Sequence, residues 1–143
     1  MDVFARPSEG PTKELLASCA LPVADLQSAH FQHFFACGSQ TSPTGVIGVE
    51  LHGQVALLRS LAVAKSARSR GYGRRLVSAA EAHARTHGVR SVYLLTSTAE
   101  AYFKALGYFA TDRESVPEAI RVTPEFATLC PASAIVLVKR LEA

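Results

Sequence analysis

Apolar positions along this chain fall into two rhythms. Val55 to Val63 is almost unbroken, and Ser91 to Leu95 is β-branched and aromatic. Short continuous runs of this kind predict strands buried on both faces. Val46 to Leu51 alternates imperfectly and predicts a strand beside them. Val3 to Arg6 (ended by Pro7), Gln32 to Cys37, Tyr108 to Ala110 and Ala134 to Val138 predict four more. The second rhythm is helical. Leu76, Val77, Ala80 and Ala84 predict a helix from Arg74 to His87, closed by Gly88, with Glu81 and Arg85 paired on its outer side. Thr12 to Cys19 predicts a helix capped by Thr12, Ala24 to Phe31 a second, and Thr98 to Leu106 a third, ended by Gly107. Turn residues cluster at Gly38–Gly45 and His52–Gln54. Residues 112–131 carry Pro117, Pro124 and Pro131 and predict one or two short helices. Together these elements predict an α/β (α+β) chain, a mixed sheet flanked by a few helices.

Composition bounds the picture further. A chain of 143 residues, 48% hydrophobic, is read as one domain, 1–143, with one core. No apolar run approaches the roughly 18–20 residues of a membrane span. The opening segment, with Asp2, Arg6 and Glu9, lacks the apolar core of a secretory signal. Cys19, Cys37 and Cys130 are odd in number and far apart, and no Cys or His spacing suggests a metal. The expectation is a cytoplasmic protein with reduced thiols, no metal and no membrane contact.

Charge singles out one place. The formal net charge is +3, from 15 Lys and Arg against 12 Asp and Glu. Lys65, Arg68, Arg70, Arg74 and Arg75 lie within eleven residues that contain no acid; without them, 10 cations face 12 acids. The excess is therefore expected in one loop, and a spread basic face for nucleic acid is not. That loop, Arg68-Ser69-Arg70-Gly71-Tyr72-Gly73-Arg74, joins a strand to a helix. The first helical amides have no partner and the helix dipole makes that end positive. Glycine lets the backbone approach an anion. The segment reads as a cradle for a compact polyanion such as the tail of a nucleotide-like cofactor, or as a solvated loop.

Leu61-Ala62-Val63, Arg68-x-x-Gly71-x-Gly73 and Ala101-Tyr102-Phe103-Lys104-Ala105-Leu106-Gly107-Tyr108 closely resemble the GCN5-related N-acetyltransferase (GNAT) superfamily. Element order matches from about Val3 to Leu141. Leu58 to Val63, Tyr93 to Glu100 and Glu125 to Ala134 narrow the resemblance to a bacterial subgroup labelled arsenic-resistance N-acetyltransferase. That subgroup is similar in turn to the acetyltransferase domain of N-acetylglutamate synthase. The resemblance implies a mostly antiparallel mixed sheet of six to seven strands with about four helices. It also implies acetyl-CoA as co-substrate, a small-molecule amine as acceptor and a homodimer through the C-terminal strands.

Site residues follow from the same resemblance. Backbone groups of Leu61, Ala62 and Val63 would bind the pantetheine arm as an added strand does. Arg68, Ser69, Arg70, Gly71, Tyr72, Gly73 and Arg74 would hold the phosphates, and Phe103 would wall the pocket. Relatives use a tyrosine at the position of Phe103 to protonate the leaving thiolate; here the tyrosine is Tyr102, one place earlier, turned by about 100°. Glu50 is the candidate base, direct or through water, or a solvated edge carboxylate; His33, His52 and His87 are weaker candidates. Arg59, alone in an apolar run, would be costly to bury unpaired. It either grips an acceptor carboxylate in two prongs, which suits an amino-acid-like acceptor, or forms a salt bridge to Glu50 or Glu100. Thr96, Ser97 and Thr98 either face a ligand or cap the next helix, with Thr98 or Ser97 as the N-cap. Cys130 and Ser133 would line the acceptor pocket, Cys130 as an apolar residue rather than a nucleophile. The alternatives are acetylation of a protein or peptide, and a CoA-binding sensor without turnover.

Overall fold

The computed structural model describes residues 2–129 and 133–141, with the side chains of Thr128 and Leu129 left out. Seven strands form one mixed sheet in the order β1-β2-β3-β4-β5-β7-β6. They are β1 (Val3–Ala5), β2 (Phe34–Gly38), β3 (Pro43–His52), β4 (Val55–Val63), β5 (Ser91–Thr96), β6 (Phe109–Thr111) and β7 (Ile135–Arg140). The α-helices are α1 (Glu9–Ser18), α2 (Tyr72–Thr86), α3 (Glu100–Ala105) and α4 (Glu118–Arg121), with tighter 3₁₀ turns between them and a wider π-helical turn at Glu125–Leu129. Among the described residues, seven strands and four α-helices fall within the six to seven strands and about four helices expected. Among the described residues no helix is long and apolar enough to cross a membrane.

The chain divides into two compact units, Met1–Glu50 with Leu58–His83, and Leu51–Leu57 with Ala84–Ala143. The division cuts through β3 and β4. In the first unit β1, β2 and β3 run antiparallel, with Phe34 opposite Gly48 and a register shift at Cys37/Gly38. The core gathers Leu16, Leu26, Phe31, Phe34, Ala36, Val46 and Ala62. Gly48 is favoured there, because a Cβ would clash with an edge carbon of the Phe34 ring. In the second unit β5 pairs in parallel with Val55–Leu57 of β4, and β7 runs antiparallel between β5 and β6. Leu57, Val116, Ile120, Phe126 and Val136 form its core.

Several boundaries differ from the sequence expectation. α1 starts at Glu9, N-capped by Ser8, so Thr12 is not its cap. Pro11 is tolerated because first-turn amides have no partner to lose. Thr12 is fully buried, and among the described residues its hydroxyl has no hydrogen-bond partner. The helix expected over Ala24 to Phe31 is a 3₁₀ turn at Ser28–His33. Glu81, expected on the outer side of α2, is buried. The β2–β3 connection is short, because β3 begins at Pro43.

Candidate functional site

β4 ends in the first unit at the basic loop. The Ala64 N–H donates to the Thr44 carbonyl at 2.8 Å, and a 3₁₀ turn at Lys65–Ala67 follows. Arg68 folds back, its Nε donating to the Val63 carbonyl at 3.0 Å and its Nη2 lying 3.8 Å from Cys19 Sγ. Ser69 (φ 68°) and Gly71 (φ 81°) both take left-handed backbone, which turns the chain into α2. No atom lies within 4 Å of where a Gly71 Cβ would sit. The Arg75 N–H donates to the Gly71 carbonyl at 3.2 Å. The amides of Tyr72, Gly73 and Arg74 precede that first helical bond, so they have no carbonyl one turn back. Arg70 and Arg74 are exposed, and their side chains pair with nothing among the described residues. The expected elements therefore come together: an open glycine, a positive helix end and two uncommitted guanidinium groups.

A few residues earlier, β4 carries a buried charge cluster, also within the first unit. Ser60 sits in mid-strand with φ 59°. Left-handed backbone at a serine costs about 1–2 kcal/mol and marks a bulge-like break in the strand. Arg59, immediately before it, has a side chain with no exposure. Its Nη1 donates to Asp25 Oδ2 at 2.5 Å and to Glu50 Oε2 at 2.8 Å, its Nη2 to Asp25 Oδ1 at 2.9 Å, and its Nε to Ser60 Oγ at 3.0 Å. His30 Nε2 lies 3.9 Å from Glu50 Oε2, while His30 Nδ1 accepts the Gln27 N–H at 2.9 Å. A neutral His30 thus carries its proton on Nε2, toward Glu50. Burial alone would raise the Asp25 carboxyl. The hydrogen bond and charge of Arg59 outweigh it, helped by Asp25's own backbone N–H and by His30, and hold the group below its ordinary 3.8.

Arg59 is therefore an internal ion-pair partner, and its two-pronged grip falls on Asp25. The salt bridge to Glu50 stated as the alternative is present; Glu100 instead pairs with Lys104 at 2.6 Å. Asp25, His30 and Glu50 offer donor atoms within 4.8 Å of one another, a spacing a metal could use. The cation among the two carboxylates is the Arg59 guanidinium. Sequence reasoning missed Asp25, His30 and Ser60. The one available signal was the demand of a buried arginine for anions, which does not say where in the chain they lie.

The second unit holds the remaining candidates. Thr96 Oγ1 accepts the N–H groups of Ala99 at 2.9 Å and Thr98 at 3.3 Å. The N-cap of α3 is Ala99, with no side-chain cap, so neither Ser97 nor Thr98 caps it; Thr96 instead ties the turn before the helix, and Ser97 and Thr98 are exposed. Tyr102 is 41% exposed and Phe103 is buried. The Phe103 ring meets Tyr102 edge-on at 5.3 Å and Tyr108 at 5.6 Å. Ser133 is exposed, and Cys130 lies outside the described residues.

Comparison with known proteins gives this geometry a context. The model of the acetyltransferase (GNAT) family matches residues 4–110. An uncharacterized N-acetyltransferase, CT2212 of Chlorobaculum tepidum, is 34% identical over 92 residues, 64% of this chain and 59% of that protein. N-acetylglutamate synthase from Neisseria gonorrhoeae, complexed with coenzyme A and N-acetyl-glutamate, superposes with a TM-score of 0.84 at 18% identity. All of this chain is covered there, against 36% of the synthase. Rv2747 from Mycobacterium tuberculosis, in complex with CoA and NLQ, gives 0.79 at 15% identity, covering 99% of this chain and all of that one. The two structural likenesses are likenesses of fold. The chain spans about three-fifths of the curated relative's length and about a third of the synthase.

Proposed function

The chain belongs to the acetyltransferase (GNAT) family, and on that premise we propose that it transfers the acetyl group of acetyl-CoA to the amine of a small, amino-acid-like acceptor. The observation that carries the reading is the donor loop. Left-handed Ser69 and Gly71, the first amides of α2 and the uncommitted Arg70 and Arg74 make a site for a diphosphate. In this reading Arg68, tied to the Val63 carbonyl, stiffens the loop as well as adding charge. Leu61, Ala62 and Val63 offer backbone groups to the pantetheine arm as an added strand would.

The reaction is a direct attack. The acceptor amine loses a proton to Glu50, directly or through one water, and its nitrogen forms a bond to the thioester carbon. The oxyanion takes the N–H of Leu61, next to the Ser60 break. The C–S bond then breaks, and the thiolate of CoA leaves. A thiolate leaves readily near neutral pH, so a proton from Tyr102 assists rather than decides. Arg59 and Asp25 hold the Glu50 carboxylate in place. Two carboxylates against one guanidinium leave the cluster with one formal negative charge, which favours a cationic amine at Glu50. The amino-acid-like character of the acceptor is supported by the synthase likeness.

Thiol release from acetyl-CoA with a panel of amino acids and simple amines tests the proposal. Glu50→Gln is expected to lower kcat by about a hundredfold or more while CoA affinity holds. The proposal fails if no amine in the panel drives thiol release above the rate of hydrolysis.

A further inference from the structure

We propose that an open cavity in the second unit, lined by Arg85, Arg90 and Arg140, is a second anion site. Its ligand class is a compact small molecule with two or more phosphate or carboxylate groups. The cavity measures about 940 Å³, near the upper end of small-molecule sites. Its basic walls come from three segments: the last turn of α2, the residues opening β5, and the end of β7. Backbone bonds clamp the last two of these segments together. Ser91 stands opposite Arg140 in the ladder, the Leu141 N–H donates to the Arg90 carbonyl at 2.8 Å, and the Arg90 N–H donates to Gln54 at 2.7 Å. The sheet thus sets Arg90 and Arg140 side by side, and Arg85 lines the same hollow from the last turn of α2.

Among the described residues no acid lines the cavity, and none of the three arginine side chains has a hydrogen-bond or ion-pair partner. Three like charges around one hollow repel one another, and a bound anion relieves that repulsion. Arg85 alone has an ordinary explanation, since a cation in the last turn of a helix complements the dipole. Arg90 and Arg140 have no such explanation. Buried Val89 and Leu141 add an apolar wall, so the hollow suits a ligand with a carbon body as well as charge.

The excess positive charge expected in the donor loop alone is therefore shared with a second place. Outside both clusters seven Lys and Arg face twelve Asp and Glu. An extended polyanion that outran the cavity would meet a net negative surface, which favours a compact ligand over nucleic acid or a long acidic peptide. None of the lining residues belongs to the donor loop, and the inference does not rest on the proposed reaction.

The test is calorimetric titration of inorganic pyrophosphate, and separately of citrate, into three proteins. These are the wild type, a loop-disabled Arg70→Ala/Arg74→Ala variant, and the loop-disabled protein carrying Arg90→Ala/Arg140→Ala as well, called the Arg90/Arg140 variant. All three arginines of the cavity are exposed, so folding is checked simply by an unchanged unfolding midpoint; Arg90→Gln/Arg140→Gln replaces the last variant if the midpoint moves. The expected result is one equivalent of anion bound by the loop-disabled protein. Affinity should fall at least tenfold in the Arg90/Arg140 variant, and also as salt rises from about 50 to about 200 mM. Binding of pyrophosphate alone assigns a phosphate ligand, of citrate alone a polycarboxylate, and either supports the site. The proposal is overturned if neither anion binds the loop-disabled protein, or if the Arg90/Arg140 variant binds as tightly as the loop-disabled protein. It is equally overturned if an oligo-glutamate peptide binds where both small anions fail.

Discussion

Replacing Asp25 with asparagine should unfold this protein more easily than almost any other isosteric change. Asp25 supplies two of the three carboxylate contacts to a guanidinium that has no exposure, and its own side chain is only 7% exposed. Removing one partner of a buried pair strands the other charge, at a typical cost of 3–5 kcal/mol. Asparagine keeps one acceptor oxygen and Glu50 remains, so the low end applies, about 3 kcal/mol. For a chain of this size that lowers Tm by about 10 °C. Urea and thermal unfolding at neutral pH measure it. A second arm adds Arg59→Met to Asp25→Asn, which removes the stranded charge and should recover a large part of the loss. The pH dependence has a defined sign. The folded state holds the Asp25 carboxyl below 3.8, so the unfolded chain binds that proton more readily. The stability Asp25 contributes is complete above 3.8 and drains away as pH falls below it, so wild type and variant should converge in acid. A loss under about 1 kcal/mol at pH 7, or a gap that widens in acid, would refute the reasoning.

Gly48→Ala forces a methyl against the edge of the Phe34 ring and should cost about 1–3 kcal/mol in urea unfolding; Phe34→Leu in the same chain should make the two losses less than additive. Thr96→Val removes the acceptor for the Ala99 and Thr98 amides and should cost about 1 kcal/mol, whereas Thr98→Val should be near neutral. Gly71→Ala has room for its methyl but not the backbone freedom, so it should weaken CoA binding and cost about 1–2 kcal/mol.

Continuity of apolar residues made β4 legible to the residue, Val55 to Val63, because a strand buried on both faces leaves no ambiguity of period. The donor loop was legible because its glycines, cations and helix start are all local. Boundaries shifted where a residue that breaks helices inside tolerates their first turn, as Pro11 does in α1 and Gly73 in α2. The charge cluster was only half legible. Arg59 and Glu50 stand nine residues apart in neighbouring strands, but Asp25 comes from a turn 34 residues away, placed by the packing around Leu26 and Phe31. Ser60 gave no sign of its left-handed backbone, since serine has none of the freedom that makes glycine a signal. The Arg85, Arg90 and Arg140 cluster was invisible for the same reason as Asp25: only strand pairing brings position 140 beside position 91.

Calorimetric titration of CoA into the wild type and into Arg70→Ala/Arg74→Ala tests the central claim most directly. The account predicts one site, an affinity at least tenfold weaker in the variant, and a shallower dependence on salt for the variant than for the wild type. Equal affinities with equal salt slopes would contradict it, because the phosphates of the donor would then be held somewhere other than the loop that opens α2.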